Sequence, residues 1–315
     1  MIKIKELIKN ISPFNNRSDM PKILYVIKVI LIFLVFKFGA ELTGEAFAIA
    51  IHFACGKNPL QGEMFDNNTI TLITYFGYGI MTGVIFLFWR LFQKKTPAEL
   101  GFTKKAGSYL AGLTAGTVLA VIAAAAVTLT GAIQYNGLYN RSDHKMVAVM
   151  LICFILQGTM EEILCRGIVQ HLLQNKVSVP VAVAVSTVLF IIPHVSSMDF
   201  QRPDITITAI VNLILISLIF SLLTLRFGSI WAACGLHSIW NYILYSILGL
   251  NLSGNDGLVS AVFDMRSVGE NILNGGMYGI EASIITTAVL SVAAGLLLVY
   301  HIRTSKKIPA CMSLN

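Results

Sequence analysis

Long apolar runs recur along the chain, and they limit what it can fold into more than any other feature. Stretches near residues 23–50, 69–92, 108–134, 147–174, 179–196, 205–225, 228–249 and 278–302 approach or exceed the roughly 20 residues that a helix needs to cross a hydrocarbon core about 30 Å thick. Inside lipid every backbone N–H and C=O must find its partner within the protein, so only helices or a closed barrel can span. Runs this long far exceed the roughly 9–11 residues of a barrel strand. Composition agrees, with 56% hydrophobic and 12% charged residues, against about 45–50% and 25% in soluble domains. The expected fold is an all-α polytopic membrane helical bundle of about eight transmembrane helices. A single soluble domain and a disordered chain are excluded.

The formal charge of +7 is explained by membrane topology without invoking nucleic acid, because Lys and Arg accumulate in cytoplasmic loops. Lys3, Lys5, Lys9, Arg17 and Lys22, then Lys94, Lys95, Lys104 and Lys105, then Lys176, Arg226, Arg303, Lys306 and Lys307 fall on one side. Only Lys57, Arg141, Lys145, Arg202 and Arg266 fall on the other. Both termini are therefore expected in the cytoplasm of an integral membrane protein, and the loop at 250–277, with an amphipathic patch near 259–272, outside. The first 22 residues are polar and basic, so no cleavable signal peptide is expected. The first span carries Lys28, Lys37, Glu41 and Glu45 as anchors or local pairs and is expected to be tilted, broken at Gly39 or followed by a surface segment. Cys55, Cys153, Cys165, Cys234 and Cys311 form no CxxC pair and read as small packing residues. Gly112 and Gly116 have the small-xxx-small spacing that lets helix backbones approach.

Ionisable groups inside apolar spans are expensive and need a partner, a wet cavity or a function. The fourth span contains Glu161-Glu162-Ile-Leu-Cys-Arg166, the fifth ends Phe190-Ile-Ile-Pro-His194, and the seventh contains His237-Ser-Ile-Trp-Asn241. Residues four apart lie one turn above each other, so Glu162 and Arg166 suit a buried ion pair with the acid first. Glu161 is rotated about 100° away and is left for chemistry. His237 and Asn241 share a face and can address one ligand atom. At about 1.5 Å per residue, His194 and Glu161 both lie about 21–22 Å from the cytoplasmic turn between their spans, so a cluster is geometrically allowed. His52, His144, His171 and His301 sit near span ends or in loops and are expected to be solvated.

These motifs, in this order on separate apolar spans, resemble the CAAX protease and bacteriocin-processing (CPBP or Abi) family, which includes the eukaryotic Ras-converting CAAX prenyl endopeptidase. Ala98-Glu99-Leu100-Gly101-Phe102 is similar to the Leu-Gly-Phe loop common in that family. The resemblance covers residues 95–250, flanked by 1–94 with the first two spans and by 251–315 with the outer loop, last span and tail. It implies an eight-helix intramembrane endopeptidase, acting on a membrane-associated peptide or lipidated protein such as a CAAX-type tail, a bacteriocin leader or a pheromone precursor. Glu161 with His194 would activate water, His237 and Asn241 would stabilise the oxyanion, and Glu162, Arg166 and Phe190 would support the site. Metal-independent, glutamic-type chemistry with no cofactor is favoured. Zinc held by Glu161, His194 and His237 is the alternative, although no HExxH pair is present. A bacterial plasma membrane is the expected location, with lipid and peptide as partners. A non-catalytic adaptor or immunity protein is the competing function, followed by a transporter.

Overall fold

A computed structural model describes residues 4–140, 142–255 and 260–305. Arg141, Lys306, Lys307, Lys3, Cys311 and the start of the 259–272 patch lie outside the described residues, as does the side chain of Lys5. The chain forms helices α1 (Ile4–Ile11), α2 (Lys22–Ala54), α3 (Asn67–Phe88) and α4 (Ser108–Leu129), then strand β1 (Ile133–Leu138). There follow α5 (His144–Glu162), α6 (His171–Gln174), α7 (Val179–Ile191), α8 (Pro203–Phe227), α9 (Trp231–Tyr242), strand β2 (Phe263–Ser267) and α10 (Ile284–Ser305). Residues 163–170 join α5 to α6 as π-helix, so 144–174 is one unbroken rod. Among the described residues, seven helical segments are long and apolar enough to cross a membrane. The eighth pass, α9 with its π-helical extension over 243–247, is shorter and packs mostly buried inside the bundle.

Successive passes run in opposite directions, which sorts the connections to two ends. At the amino-terminal end Lys28 Nζ donates to Arg17 O (2.6 Å), Gln93 Nε2 to Pro13 O (2.9 Å) and Lys105 Nζ to Phe227 O (2.8 Å). At the opposite end β1 and β2 pair antiparallel, Ile133 opposite Ser267, with an irregularity between Tyr135 and Leu138 where Gly137 takes φ +98°. An extra residue in left-handed conformation at a bulge is a position glycine fills without steric cost. This hairpin shortens the third span expected to reach 134, since α4 stops at Leu129, and it places Phe263–Ser267 of the 250–277 loop in a strand paired across the fold. Of the alternatives for the first span, the break at Gly39 is excluded, since α2 is one continuous 33-residue helix through that residue. At 1.5 Å per residue it runs about 50 Å, well beyond a bilayer core.

The closest helix contact is α4 against α9, and glycine makes it. A Cβ on Gly112 would lie 2.0 Å from Ala232 O, one on Gly116 2.8 Å from Leu236 O, and one on Gly235 2.3 Å from Tyr109 O. Backbone meets backbone, as small residues permit in membrane bundles. Cys153, Cys165 and Cys234 are buried packing residues, whereas Cys55 is exposed. His52 is buried rather than solvated. Its Nδ1 bonds Ala48 O (2.7 Å) and its Nε2 accepts from Phe65 N (3.3 Å), tying the end of α2 to the turn that follows.

Candidate active site

Glu161 and Glu162 are the last residues of α5, and the π-helix begins immediately after them. The second motif helix repeats this: π-helix starts two residues beyond Asn241. Wide π turns in otherwise α-helical rods gather at functional sites.

The two carboxylates point into different surroundings. Glu162 is wholly buried, and its Oε1 accepts from Arg166 Nη1 at 3.1 Å and from His237 Nδ1 at 3.0 Å. Arg166 Nη2 donates to Ser217 O (3.0 Å) and Ser217 Oγ (2.6 Å), and the guanidinium lies over the rings of Phe190 (4.8 Å) and Phe220 (4.9 Å). His237 stacks on Phe220 at 5.0 Å and 18°. A buried charge pair is tolerable only when geometry and extra hydrogen bonds offset desolvation; here Ser217, His237 and the two rings supply part of that offset, while among the described residues Glu162 Oε2 and Arg166 Nε are buried without a hydrogen-bond partner. The expected Glu162–Arg166 pair is present, and it also fixes the imidazole of a third helix.

Glu161 keeps 21% of its side chain accessible. Its Oε1 accepts from Gln157 Nε2 (3.2 Å), and its Oε2 is 3.8 Å from His237 Nε2, too long for a direct hydrogen bond. Asn241 Nδ2 donates to Gln157 Oε1 at 3.4 Å, so an amide relay joins α9 to Glu161. His194 sits in the 3₁₀ turn that continues α7, with Nδ1 2.9 Å from Phe190 O. A carbonyl only accepts, so Nδ1 carries the proton and Nε2 keeps a lone pair.

Glu161, His194, His237, Asn241 and Phe190 all line one cavity of about 370 Å³, while Glu162 and Arg166 lie behind its wall. The structure thus brings every one of these sequence-predicted residues into a single cluster. It adds others that the motifs did not single out. Gln157 was findable, one turn before Glu161. Tyr75 and Tyr78 from α3 and Glu281 before α10 also reach the cavity, and no local pattern marks them; Lys37 from α2, read from the sequence only as an anchor or local pair, reaches it too. Lys37 pairs with Glu41 one turn on, as expected of a local pair. Glu281 accepts from Trp240 Nε1 (3.1 Å), Ser253 N (2.7 Å) and Ser253 Oγ (2.8 Å), pinning the cavity rim to α9. Among the described residues no three His, Cys, Asp or Glu side chains are placed to hold a metal ion.

The Ala98–Phe102 loop acts on this cluster from behind. Gly101 O accepts from Ser229 Oγ (2.8 Å) and Ile230 N (3.1 Å) at the start of α9, and Phe102 meets Trp231 edge-on at 4.8 Å. Gly101 has φ +91°, and a Cβ there would lie 2.7 Å from Ile230 Cγ2, so both conformation and space require glycine. Leu100 is fully buried, and its carbonyl would be 2.6 Å from a Cβ on Gly167 of the π-helix. The loop therefore sets the spacing of the two motif helices. Thr96 N (2.8 Å) and Thr96 Oγ1 (3.2 Å) donate to Glu99 Oε2, which holds the Glu99 carboxyl below its ordinary range, chiefly through the backbone bond.

Residues 143–243, from the residue before α5 through α9, match the family model of the Type II CAAX prenyl endopeptidase Rce1-like proteins. No curated protein and no solved structure matches the chain. The matched segment contains all three motifs that build the cluster, and over these residues the chain is similar to the CAAX prenyl endopeptidases, which supports membership of the CAAX protease family.

Proposed function

We propose that the protein hydrolyses a peptide bond in a membrane-associated substrate, using a water activated by Glu161 and His194. The observation that carries the reading is the division of labour between adjacent carboxylates. Glu162 is consumed by Arg166 and His237, whereas Glu161 faces a cavity that His194 and His237 also line. A molecule of water between Glu161 Oε2 and His237 Nε2, 3.8 Å apart, could touch both. Water attack on the scissile carbonyl carbon would form the new C–O bond as its proton passes to Glu161 or to the lone pair of His194 Nε2. Collapse of the tetrahedral intermediate breaks the C–N bond, and that proton leaves with the amine.

The oxyanion would be held by His237 and Asn241. With Nδ1–H engaged by Glu162, His237 can donate from Nε2 only when the ring carries both protons, and Asn241 supplies a second N–H if it turns from Gln157. No step is routed through a metal. Residues 95–250 are taken as the catalytic core, with 1–94 and 251–315 supplying walls of the cavity, and both termini as cytoplasmic. The reading is tested by incubating purified protein in nanodiscs with a panel of CAAX-type, leader and pheromone-precursor peptides and scoring products by mass spectrometry. Cleavage by wild type that Glu161→Gln abolishes supports it. Folded wild type that cleaves nothing across the panel favours the adaptor reading.

A further inference from the structure

A second cavity, of about 410 Å³, lies at the basic end of the bundle and shares no lining residue with the catalytic one. Residues 12–21, which lead into α2, lie along it, and its walls come from the first turns of α2, from Gln93 after α3 and from the turn after α6. The leading segment is tied down on both sides. Gln93 Nε2 donates to Pro13 O (2.9 Å) and Asn15 O (3.1 Å), and Lys28 Nζ donates to Asn15 Oδ1 (2.7 Å) and Arg17 O (2.6 Å).

Four lining residues are cations, Arg17, Lys28, Lys95 and Lys176, and none is an acid. Lys95 has Glu99 at 3.8 Å. Among the described residues Arg17, Lys28 and Lys176 have no carboxylate within 4.0 Å. Lys95 and Lys176 follow the carbonyl ends of the 89–93 turn and of α6, where cations are ordinary. Lys28 has no such reason to be there. It is 2% exposed, and its ammonium, which carries three N–H groups, meets only the two neutral acceptors just named. Neutral acceptors return only part of the hydration that a buried cation gives up, so such a group normally keeps a counterion. Tyr25, three residues earlier on the same face of α2, also lines the cavity. It is 6% exposed, and among the described residues its hydroxyl makes no hydrogen bond.

The rest of the wall is apolar, with Val29, Ile32 and Leu172 buried, while Asn16, Arg17 and Ser18 are exposed at the rim. A ligand therefore need not cross the packed core to reach Lys28. Ile8 and Phe14, in the same amino-terminal segment, expose apolar side chains as a segment lying in a membrane interface does.

We infer that this cavity binds a phosphate group, carried by an acidic phospholipid or by a small soluble phosphate, with Lys28 as its buried counterion, Tyr25 as a hydroxyl donor, and Arg17 and Lys176 as further cations. The several acceptor oxygens of a phosphate suit donors that arrive from different elements, and bonds to an ionised acceptor are the stronger kind. The chain gathers its cations at this end, where acidic headgroups of the inner leaflet and soluble phosphates are both met.

The test uses full-length protein in a neutral detergent and two probes: dioleoylphosphatidylglycerol, followed by native mass spectrometry, and inorganic phosphate, followed by titration calorimetry. Saturable binding of at least one probe is expected. Arg17→Gln and Lys176→Gln should each weaken it about fivefold, and Tyr25→Phe roughly threefold. Lys104→Gln and Arg303→Gln, at the same end but outside the cavity, should leave it unchanged. Lys28→Met should abolish it, and the other three cavity variants carry the test whether or not that protein folds. Lipid binding weakened by the cavity substitutions makes the ligand a headgroup, and phosphate binding weakened by them without lipid binding makes it a soluble phosphate. Binding of neither probe by folded wild type, or losses from Lys104→Gln and Arg303→Gln equal to that from Arg17→Gln, overturns the inference.

Discussion

Adjacent carboxylates with opposite duties make a prediction in which two isosteric substitutions fail differently. Glu162→Gln keeps the shape of the side chain but removes the charge that faces Arg166 at 3.1 Å and His237 at 3.0 Å, with Glu162 and Arg166 both inaccessible to solvent. Breaking a buried pair by neutralising one member typically costs about 3–5 kcal/mol. Arg166 would retain both bonds to Ser217 and its two aromatic faces, which places the expected loss near the lower end, about 3 kcal/mol, or roughly a hundredfold in the folded-to-unfolded ratio. Glu161→Gln removes a charge that is partly accessible and keeps an oxygen for Gln157, so its cost should stay below about 1 kcal/mol. Equilibrium unfolding of the purified proteins in mixed micelles, read by tryptophan fluorescence, measures both. A Glu162→Gln protein as stable as wild type, or a Glu161→Gln protein several kcal/mol less stable, would refute the assignment of the structural role to Glu162.

Three further outcomes are expected. Gly112→Ala places a Cβ 2.0 Å from Ala232 O and should destabilise by about 1–3 kcal/mol or more, with a drop in peptide cleavage as α9 and His237 shift; unchanged melting would show that α4 and α9 are not in backbone contact. Because the folded-state carboxyl of Glu99 is held below its ordinary value by Thr96, its contribution is full above the unfolded value near 4.5 and is lost as pH falls through the folded value. Hydrogen exchange across residues 97–103 should therefore accelerate below about pH 4.5, and Glu99→Gln should show fast exchange at neutral pH as well. Exhaustive chelation should leave cleavage intact; loss that zinc restores would transfer Glu161, His194 and His237 to metal binding.

What the sequence disclosed was whatever local periodicity encodes. The apolar runs gave the bundle, and one-turn spacing gave the Glu162–Arg166 pair and the shared face of His237 and Asn241. The bond from His237 to Glu162 crosses 75 positions of chain, and no spacing rule reaches that far. Lys37, Tyr75, Tyr78 and Glu281 enter the cavity only because α2, α3 and the turn before α10 fold against the motif helices. The hairpin escaped for the same reason, since each strand has at most six residues and its partner lies across the fold. The α9 pass read as an ordinary span because apolarity does not distinguish a helix facing lipid from one buried in protein. The Leu-Gly-Phe loop was visible as a pattern, but its effect, docking the start of α9 against the π-helix, required Gly101 and Gly167 to be seen in contact with their neighbours.

The central claim is that water, activated at Glu161, opens a peptide bond in this cavity. Its most direct measurement is mass spectrometry of peptide products formed in ¹⁸O-enriched water by wild type, Glu161→Gln and His194→Ala. The account predicts one heavy oxygen in the new carboxylate of the wild-type product, no product above background with Glu161→Gln, and a rate lowered roughly 10²–10⁴-fold with His194→Ala. Labelled product formed by Glu161→Gln at the wild-type rate would contradict it.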